Sequence, residues 1–288
     1  MTALDTPNVR RVLAGAAIVG ALLGLETLIL HLATDPLADV HAYYDAGARL
    51  NAGLPLYDQV ATTNDAAFYR YPPLLAIAFR PLALLPFDAA ALIWELILGV
   101  VFAATIVRLG ATRRTWLLLG MLALPTVWSL VIGQAQVAVT LLMAVGAPWS
   151  LALATNLKIL PALAAIYWVG RRDVAALVRF GAWLVAFAAI QLLLEPRGSL
   201  AFPGFLGLDQ VGDVNNRSLY AISPIAWALA VAIGAIAAWR LAPTRFGWAA
   251  AVTLSVLATP RLLVYQLATL LAGARETGTV PDRREGAA

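Results

Sequence analysis

The chain has 288 residues, of which 61% are hydrophobic and only 12% charged, with a formal net charge of +4. Soluble domains are about half apolar and a quarter charged, so this composition predicts an integral membrane protein with several spanning helices. The absence of cysteine excludes disulfides and thiolate chemistry, and the two histidines lack metal-binding spacing, so neither a metal nor a cofactor is expected. The positive charge is spread over short loops and the termini, which argues against a nucleic-acid partner.

The first hydrophobic segment, residues 12–33, is long enough to cross a bilayer. Arg10 and Arg11 precede it and favour a cytoplasmic N-terminus. The segment is too long for the core of a signal peptide and has no small-residue cleavage site, so we expect a retained anchor. The acidic, tyrosine-rich loop that follows, residues 35–71, should then lie outside the cytoplasm.

A short interfacial helix is predicted in this loop, with the Asp-Pro pair at 35–36 starting it and Gly53 ending it. Asp39 and Tyr43 share one stripe of that helix, and Tyr44 adds a second phenol. Asp39 can therefore take a proton from a sugar hydroxyl at the membrane surface. The same pattern also fits an amphipathic helix whose aspartate only faces water or caps the backbone.

The remaining hydrophobic segments fall on either side of a second polar loop, residues 195–222. They are predicted at 72–86, 88–109, 115–132, 134–147, 148–170, 174–194, 223–243 and 246–273. If 72–86 and 134–147 are re-entrant or interfacial, four spans separate the two polar loops; otherwise there are six. Either number is even, so both schemes place the two polar loops on the same, outer face.

These segments predict an all-α, polytopic membrane bundle with about seven to nine hydrophobic segments. We expect one integral-membrane domain over residues 1–273, followed by a charged, disordered tail over residues 274–288.

Two cations inside hydrophobic segments are candidate phosphate ligands. Lys158 is the only lysine of the chain, and a lysine at the centre of a spanning helix costs roughly 2.5–3.5 kcal/mol. It can pair with the phosphate of a lipid carrier, or it can snorkel to an interface or bond carbonyls exposed by Pro161. Arg261 follows Pro260 and suits bidentate phosphate binding, unless it is an interfacial anchor.

Amides in two further places allow either sugar binding or simple turns. Gln134 and Gln136 follow Gly133 between two hydrophobic segments, and Asn216 lies in the second polar loop. Each of these amides can bond sugar hydroxyls, or it can satisfy the backbone of a tight turn.

Several of these motifs follow one another along most of the chain. They are Asp39, Tyr43-Tyr44, Gly53-Leu-Pro55-Leu-Tyr57, Tyr71-Pro72-Pro73, Pro81 to Pro86, Gly133-Gln134, Lys158 with Pro161, Asn216-Arg217-Ser218-Leu219, and Pro260 with Tyr265. In this order and spacing the chain resembles glycosyltransferase family 87, integral-membrane enzymes of the GT-C superfamily. The Gly-Gln motif of that family normally continues to Asn, where this chain has Gln136.

The resemblance implies a mannosyltransferase or related enzyme of the cell membrane, working on the extracytoplasmic face. Its donor would be a polyprenyl-phosphate-linked sugar and its acceptor a lipid or glycan, with membrane lipids around it. Asp39 would be the catalytic base of an inverting transfer, and Lys158 and Arg261 would bind the departing phosphate. Substrate-binding positions would be Tyr43, Tyr44, Tyr71, Gln134, Asn216 and Tyr265.

Two other functions fit the same sequence. A transporter or flippase of lipid-linked sugars would also need intramembrane cations, although no internal repeat supports one. A non-catalytic relative that serves as an assembly partner is the second alternative.

Overall fold

The computed structural model describes residues 7–34, 36–59, 68–205 and 216–276. All regular secondary structure in these ranges is helical, so the predicted all-α architecture is confirmed. The α-helices in chain order are α1 (Pro7–Thr34), α2 (Ala38–Asn51), α3 (Pro73–Phe79), α4 (Phe87–Leu109), α5 (Arg113–Met121), α6 (Ala123–Val131), α7 (Gln136–Val145), α8 (Pro148–Leu157), α9 (Ile166–Arg171), α10 (Val174–Leu194), α11 (Pro196–Phe205), α12 (Pro224–Leu241) and α13 (Gly247–Leu257). Short 3-10 helices cover Leu82–Leu84, Leu160–Ala165, Leu219–Ala221 and Val264–Ala274.

Four helices in the described ranges are long and apolar enough to cross a membrane, namely α1, α4, α10 and α12. Helices α5 and α6 pass the same test together, but a bend of 70° separates them where one segment over 115–132 was predicted. Most of the side chains of α1, α10 and α12 face outward, as expected of helices surrounded by lipid. The protein is therefore a multi-pass membrane protein.

The predicted segments 72–86 and 134–147 form only short helices. Helix α3 has seven residues and α7 has ten, both far below the length of about 20 residues needed to span the hydrocarbon core. Neither helix is long enough for the full crossing that the six-span scheme assigns to its segment, while the number of crossings remains a prediction.

The predicted span at 148–170 is not one helix. Helix α8 ends at Leu157, and a 3-10 helix begins at Leu160. Pro161 explains the break, because its ring clashes with the carbonyl four residues earlier, at Leu157, and it has no N–H to donate. Lys158 therefore lies at a helix end in extended conformation, with φ −148° and ψ 127°, and not in the middle of a spanning helix.

The last predicted segment, 246–273, is interrupted in the same way. Helix α13 ends at Leu257 and the chain resumes as the 3-10 helix Val264–Ala274. The residues between them are called the 258–263 break below. Pro260 lies inside it and prevents the helix from continuing, for the reason given for Pro161.

Helix α2 begins at Ala38, two residues later than predicted. Leu37 precedes it with a positive φ of 61°, and the N–H groups of Leu37 and Asp39 donate to Val131 O and Ile132 O, both at 3.0 Å. The end of α6 thus supplies acceptors for donors at the start of α2. Asp35, the predicted N-cap, lies outside the described residues. The predicted stop is confirmed, because α2 ends just before Gly53, whose φ is +70°.

Two buried clusters meet at the end of α8. One contains Tyr43 and Phe79 from α2 and α3, and the other contains Met143 of α7 and Trp248 of α13. Leu157, the last residue of α8, packs against both clusters. The charged residues described next lie around this meeting point.

Candidate functional site

A cavity of about 370 Å³ lies between the start of α3, helix α7, the end of α8 and the 258–263 break. Its polar wall includes Arg70, Lys158 and Arg261. Val139 and Met143 extend an apolar wall along α7, three and seven residues beyond Gln136. At 1.5 Å per residue, this wall reaches about 10 Å from the polar end. The cavity is therefore amphipathic.

Lys158 is held in the cavity by an amide and two aromatic rings. Its ammonium nitrogen donates to Gln136 Oε1 at 2.6 Å. The same nitrogen lies 5.0 Å from the ring centroid of Tyr71 and 5.3 Å from that of Tyr265, both within the range of cation–π attraction. Gln136 is itself fixed, because its Nε2 donates to Thr269 Oγ1 at 2.5 Å.

Arg261 lies in the 258–263 break, which a single asparagine stabilises. Asn216 Nδ2 donates to Pro260 O at 2.9 Å, and its Oδ1 accepts the N–H of Leu262 at 3.0 Å. The side chain thus bonds the residues on both sides of Arg261. The N–H of Arg217 also donates to Leu262 O at 2.7 Å, so the second polar loop and the break form one unit.

Arg70 is a cavity residue that the sequence analysis did not single out. Its Nη1 donates to Phe68 O at 2.9 Å, and its guanidinium lies 4.9 Å from the centroid of the Phe68 ring. The sequence signal that could have found it is its position directly before the Tyr71-Pro72-Pro73 motif.

Asp39 lies in the first turn of α2, next to this group of cations. Burial raises the pKa of the Asp39 carboxyl to about 6. The positive charges of Lys158, Arg70 and Arg261 act in the opposite direction, as does a hydrogen bond with the Gln134 side chain. The three cations therefore lie close enough to stabilise its ionised form.

Gln134 connects the aspartate to two phenols. It is fully buried, and its Oε1 accepts the hydroxyl of Tyr43 at 2.6 Å. Its Nε2 donates to the Tyr71 hydroxyl at 3.0 Å. Asp39, Tyr43 and Gln134 are not among the cavity-lining residues, whereas Tyr71 lines the cavity and contacts both Gln134 and Lys158. Tyr71 therefore connects the residues around Asp39 with the cations of the cavity wall.

Most of the predicted site residues come together in this region, and two do not. The residues in one contact network are Asp39, Tyr43, Tyr71, Gln134, Lys158, Arg261 and Tyr265. Tyr44 instead donates to Leu85 O at 2.7 Å and packs on Phe87, so the sugar-binding role expected for it has no support in the geometry. Asn216 bonds the backbone of the 258–263 break, which is the turn-type role left open for it.

Helix α11 also adds residues that the sequence analysis missed. Residues 195–222 were predicted as a polar loop, but Pro196–Phe205 is helical and its N-terminal turn is bonded by Glu195, whose Oε1 accepts the Gly198 N–H at 3.1 Å. Phe202 and Phe205 line the cavity. The Phe205 ring stacks on Tyr57 with centroids 4.4 Å apart, which joins this helix to the first polar loop. Asp209 and Asp213 of the same loop lie outside the described residues.

No group of three histidine, aspartate or glutamate residues that could hold a metal ion occurs within 7–34, 36–59, 68–205 and 216–276. The polar cavity wall offers nitrogen donors, hydroxyls and amides, which are groups suited to an anion and to sugar hydroxyls.

The fold and this site define a class of protein: a multi-pass helical membrane protein with a cation-lined, amphipathic cavity beside a half-buried carboxylate. The family model of glycosyltransferase family 87 matches residues 68–265, more than two thirds of the chain. The chain therefore belongs to glycosyltransferase family 87, and the resemblance described above is confirmed.

Two curated relatives are similar to this chain. Both are polyprenol-phosphate-mannose-dependent alpha-(1-2)-phosphatidylinositol pentamannoside mannosyltransferases. The protein from Mycolicibacterium smegmatis is 31% identical over 200 residues, covering 62% of this chain and 49% of the relative. The protein from Mycobacterium tuberculosis is 28% identical over 214 residues, covering 65% of this chain and 47% of the relative. This chain thus spans about half the length of these relatives. No solved structure gives a significant match.

Proposed function

We propose that this protein transfers mannose from a polyprenyl-phosphate donor to a hydroxyl group of a lipid or glycan acceptor. The observation that carries the proposal is the position of Asp39 beside a cavity whose wall holds Arg70, Lys158 and Arg261. Membership of family 87 and the donor in the names of the two relatives support the choice of donor. Phosphatidylinositol pentamannoside, the acceptor in their names, is an example of the proposed acceptor class.

In the proposed reaction Asp39 accepts the proton of the acceptor hydroxyl. The acceptor oxygen forms a bond to the anomeric carbon as the bond from that carbon to the phosphate oxygen breaks. The electron pair of the broken bond remains on polyprenyl phosphate, and attack from the opposite side inverts the anomeric configuration. Lys158 and Arg261 stabilise the charge that develops on the departing phosphate.

The apolar part of the cavity suits the first isoprenoid units of the donor, because Val139 and Met143 extend it away from the cations. Tyr71, Tyr265 and the amide of Gln136 provide polar groups on the other side, close to where the sugar would lie. The proposed face is extracytoplasmic, since Arg10 and Arg11 favour a cytoplasmic start for α1 and the segment with Asp39 follows that span.

The test of the base is Asp39→Asn, with Asp45→Asn as its control. Asp45 lies on the same helix but is exposed to solvent, so its substitution removes an equal charge outside the site. We expect Asp39→Asn to lose at least a hundredfold in mannosyl transfer from polyprenyl-phosphate mannose, in line with general-base catalysis, while Asp45→Asn stays near wild type. Transfer by a folded Asp39→Asn protein at the wild-type rate would refute the proposed mechanism.

Reconstituted vesicles separate the transferase from a transporter of the same donor. With labelled polyprenyl-phosphate mannose inside or outside the vesicles, a transferase forms a new glycosidic bond that depends on the acceptor. Movement of the donor between leaflets without any new bond would contradict the proposal.

A further inference from the structure

Three cations from three separate chain segments line the cavity. Arg70 comes from the loop before α3, Lys158 from the end of α8, and Arg261 from the 258–263 break. Among the described residues that line the cavity none is acidic, and the carboxylate that acts on all three cations, Asp39, lies just outside the lining. The cavity therefore has a surplus of positive charge.

Phe68 helps to fix the position of Arg70. Phe68 fixes the guanidinium through its backbone carbonyl at 2.9 Å and through its ring, whose centroid lies 4.9 Å away. The Phe68 ring stacks on Phe205 of α11, with centroids 5.7 Å apart. Aromatic packing and a backbone bond thus help to place Arg70 in the cavity wall.

The proposed reaction moves one negative charge across this group of cations. The donor is a phosphate diester with one negative charge, and the departing polyprenyl phosphate is a monoester with two. Asp39 loses its charge when it accepts the acceptor proton, so the total charge stays constant. The location of the negative charge changes, because one negative charge disappears at Asp39 and one appears on the phosphate.

We propose that Arg70 is a third phosphate-binding residue and that the cavity selects the dianionic phosphate monoester over the monoanionic diester. This inference rests on the proposed function and states which charge state of the phosphate ligand the site binds more tightly. An array of fixed cations favours the more highly charged species, and interactions that strengthen as charge develops accelerate the reaction.

The test compares two soluble probes that share one isoprenoid tail. They are farnesyl phosphate, a monoester, and its methyl ester, a diester. Binding of each is measured by titration calorimetry on the purified full chain in lipid nanodiscs. At pH 7.5 the monoester is mostly dianionic, since the second pKa of phosphate monoesters is about 6. We expect the wild-type protein to bind the monoester at least tenfold more tightly than the diester.

Substitutions at Arg70 should change this ratio. Arg70→Gln is expected to reduce the preference for the monoester at least threefold, and Arg70→Lys to retain most of it. Arg113→Gln is the matched control, because Arg113 is exposed and is not among the cavity-lining residues. Equal binding of both probes to the wild type would overturn the inference, as would equal weakening of both probes in Arg70→Gln.

A pH series on the wild type gives a second readout that needs no variant. Between pH 7.5 and pH 5 the monoester gains a proton and the diester does not. Protonation of Asp39 over the same range makes the site more positive and so favours the more highly charged probe. A fall in the ratio can therefore come only from the charge of the ligand. We expect the ratio to fall toward one, and a ratio that stays constant would contradict the inference.

The two proposals can fail separately. Selective monoester binding without any mannosyl transfer would refute the proposed function and leave the anion site intact. Mannosyl transfer without charge selectivity would refute only the role assigned to Arg70 and to the surplus of cations.

Discussion

The ammonium nitrogen of Lys158 lies 2.6 Å from Oε1 of Gln136, the first residue of α7. Two residues earlier, the Gln134 side chain lowers the pKa of the Asp39 carboxyl. The two amides of one Gln-Ala-Gln sequence thus act on the proposed base and on a proposed phosphate ligand. The α6–α7 junction therefore sets the separation between the two charged groups.

Shortening Gln136 should release Lys158 while leaving its charge in place. Gln136→Asn removes one methylene, so the amide no longer reaches both Lys158 and Thr269, and Gln136→Leu removes the amide altogether. We expect transfer to fall about tenfold in the first variant and further in the second, with a raised KM for the donor. Steady-state kinetics with polyprenyl-phosphate mannose measure both quantities.

Thr140→Val is the control for Gln136. Thr140 Oγ1 lies 3.0 Å from Thr269 Oγ1 but makes no contact with Lys158 among the hydrogen bonds of the described residues. Its substitution should leave most activity. Equal losses in Thr140→Val and Gln136→Leu would mean that packing of α7, and not the bond to Lys158, explains the effect.

Catalysis should depend on the ionisation of Asp39. Burial raises the pKa of its carboxyl to about 6, and only the carboxylate can accept a proton. We therefore expect kcat/KM to fall about tenfold per pH unit well below pH 6. Initial rates between pH 5 and pH 8 at low donor concentration measure this profile, because kcat/KM reports the free enzyme.

The control for the pH profile is the Asp45→Asn protein. Because this variant retains Asp39, its profile should have the same shape as that of the wild type. A wild-type rate that does not change between pH 5 and pH 8 would rule out a carboxyl base with a raised pKa.

Asn216 should be required for the position of Arg261. Asn216→Ala removes the bonds to Pro260 O and to the Leu262 N–H and leaves these backbone groups without that partner, at a cost of about 1–3 kcal/mol. We expect a lower melting temperature and a donor KM raised at least fivefold. Thermal unfolding in detergent measures the melting temperature, and steady-state kinetics with the donor measure KM.

Ser218→Ala is the matched control for Asn216. Ser218 lies in the same loop, and its hydroxyl caps the 3-10 helix Leu219–Ala221 by accepting the Tyr220 N–H at 3.1 Å. Its loss should change donor KM by less than twofold. A similar rise in KM for both variants would show that the loop as a whole matters, and not the bonds around Arg261.

Gly133 should tolerate no side chain. Its φ is +70°, and a Cβ at this position would overlap Val40 and come within 2.8 Å of Glu95 Oε1. Gly133→Ala is expected to destabilise the protein by about 1–3 kcal/mol through backbone strain, with additional loss from the overlap. Gln134 and Asp39 would shift with the turn, so we also expect lower activity.

Gly181→Ala provides the comparison for Gly133. Gly181 lies in helix α10, and a Cβ there meets nothing within 4 Å. Alanine is the better helix former, so stability should stay the same or rise by up to about 1 kcal/mol. Unchanged thermal stability in Gly133→Ala would contradict the strain argument.

The sequence by itself determined the membrane class and most of the helices. Long apolar segments have few alternatives to a helix in lipid, since every backbone group needs an internal partner, and α1, α4, α10 and α12 follow from this alone. The order of the motifs was enough to recognise the family. The sequence also singled out Asp39, Lys158 and Arg261, because charged residues in or beside apolar segments stand out against a hydrophobic background.

Only the tertiary structure decided which of these residues meet and what holds them. The two helix breaks at Pro161 and Pro260 bring Lys158 and Arg261 to one cavity, although about 100 residues separate them in the chain. Helix α11 joins that cavity through packing that no local pattern encodes. The distances between polar atoms depend on the contacts of whole helices, which is why Gln136 and Asn216 remained ambiguous until those helices were placed.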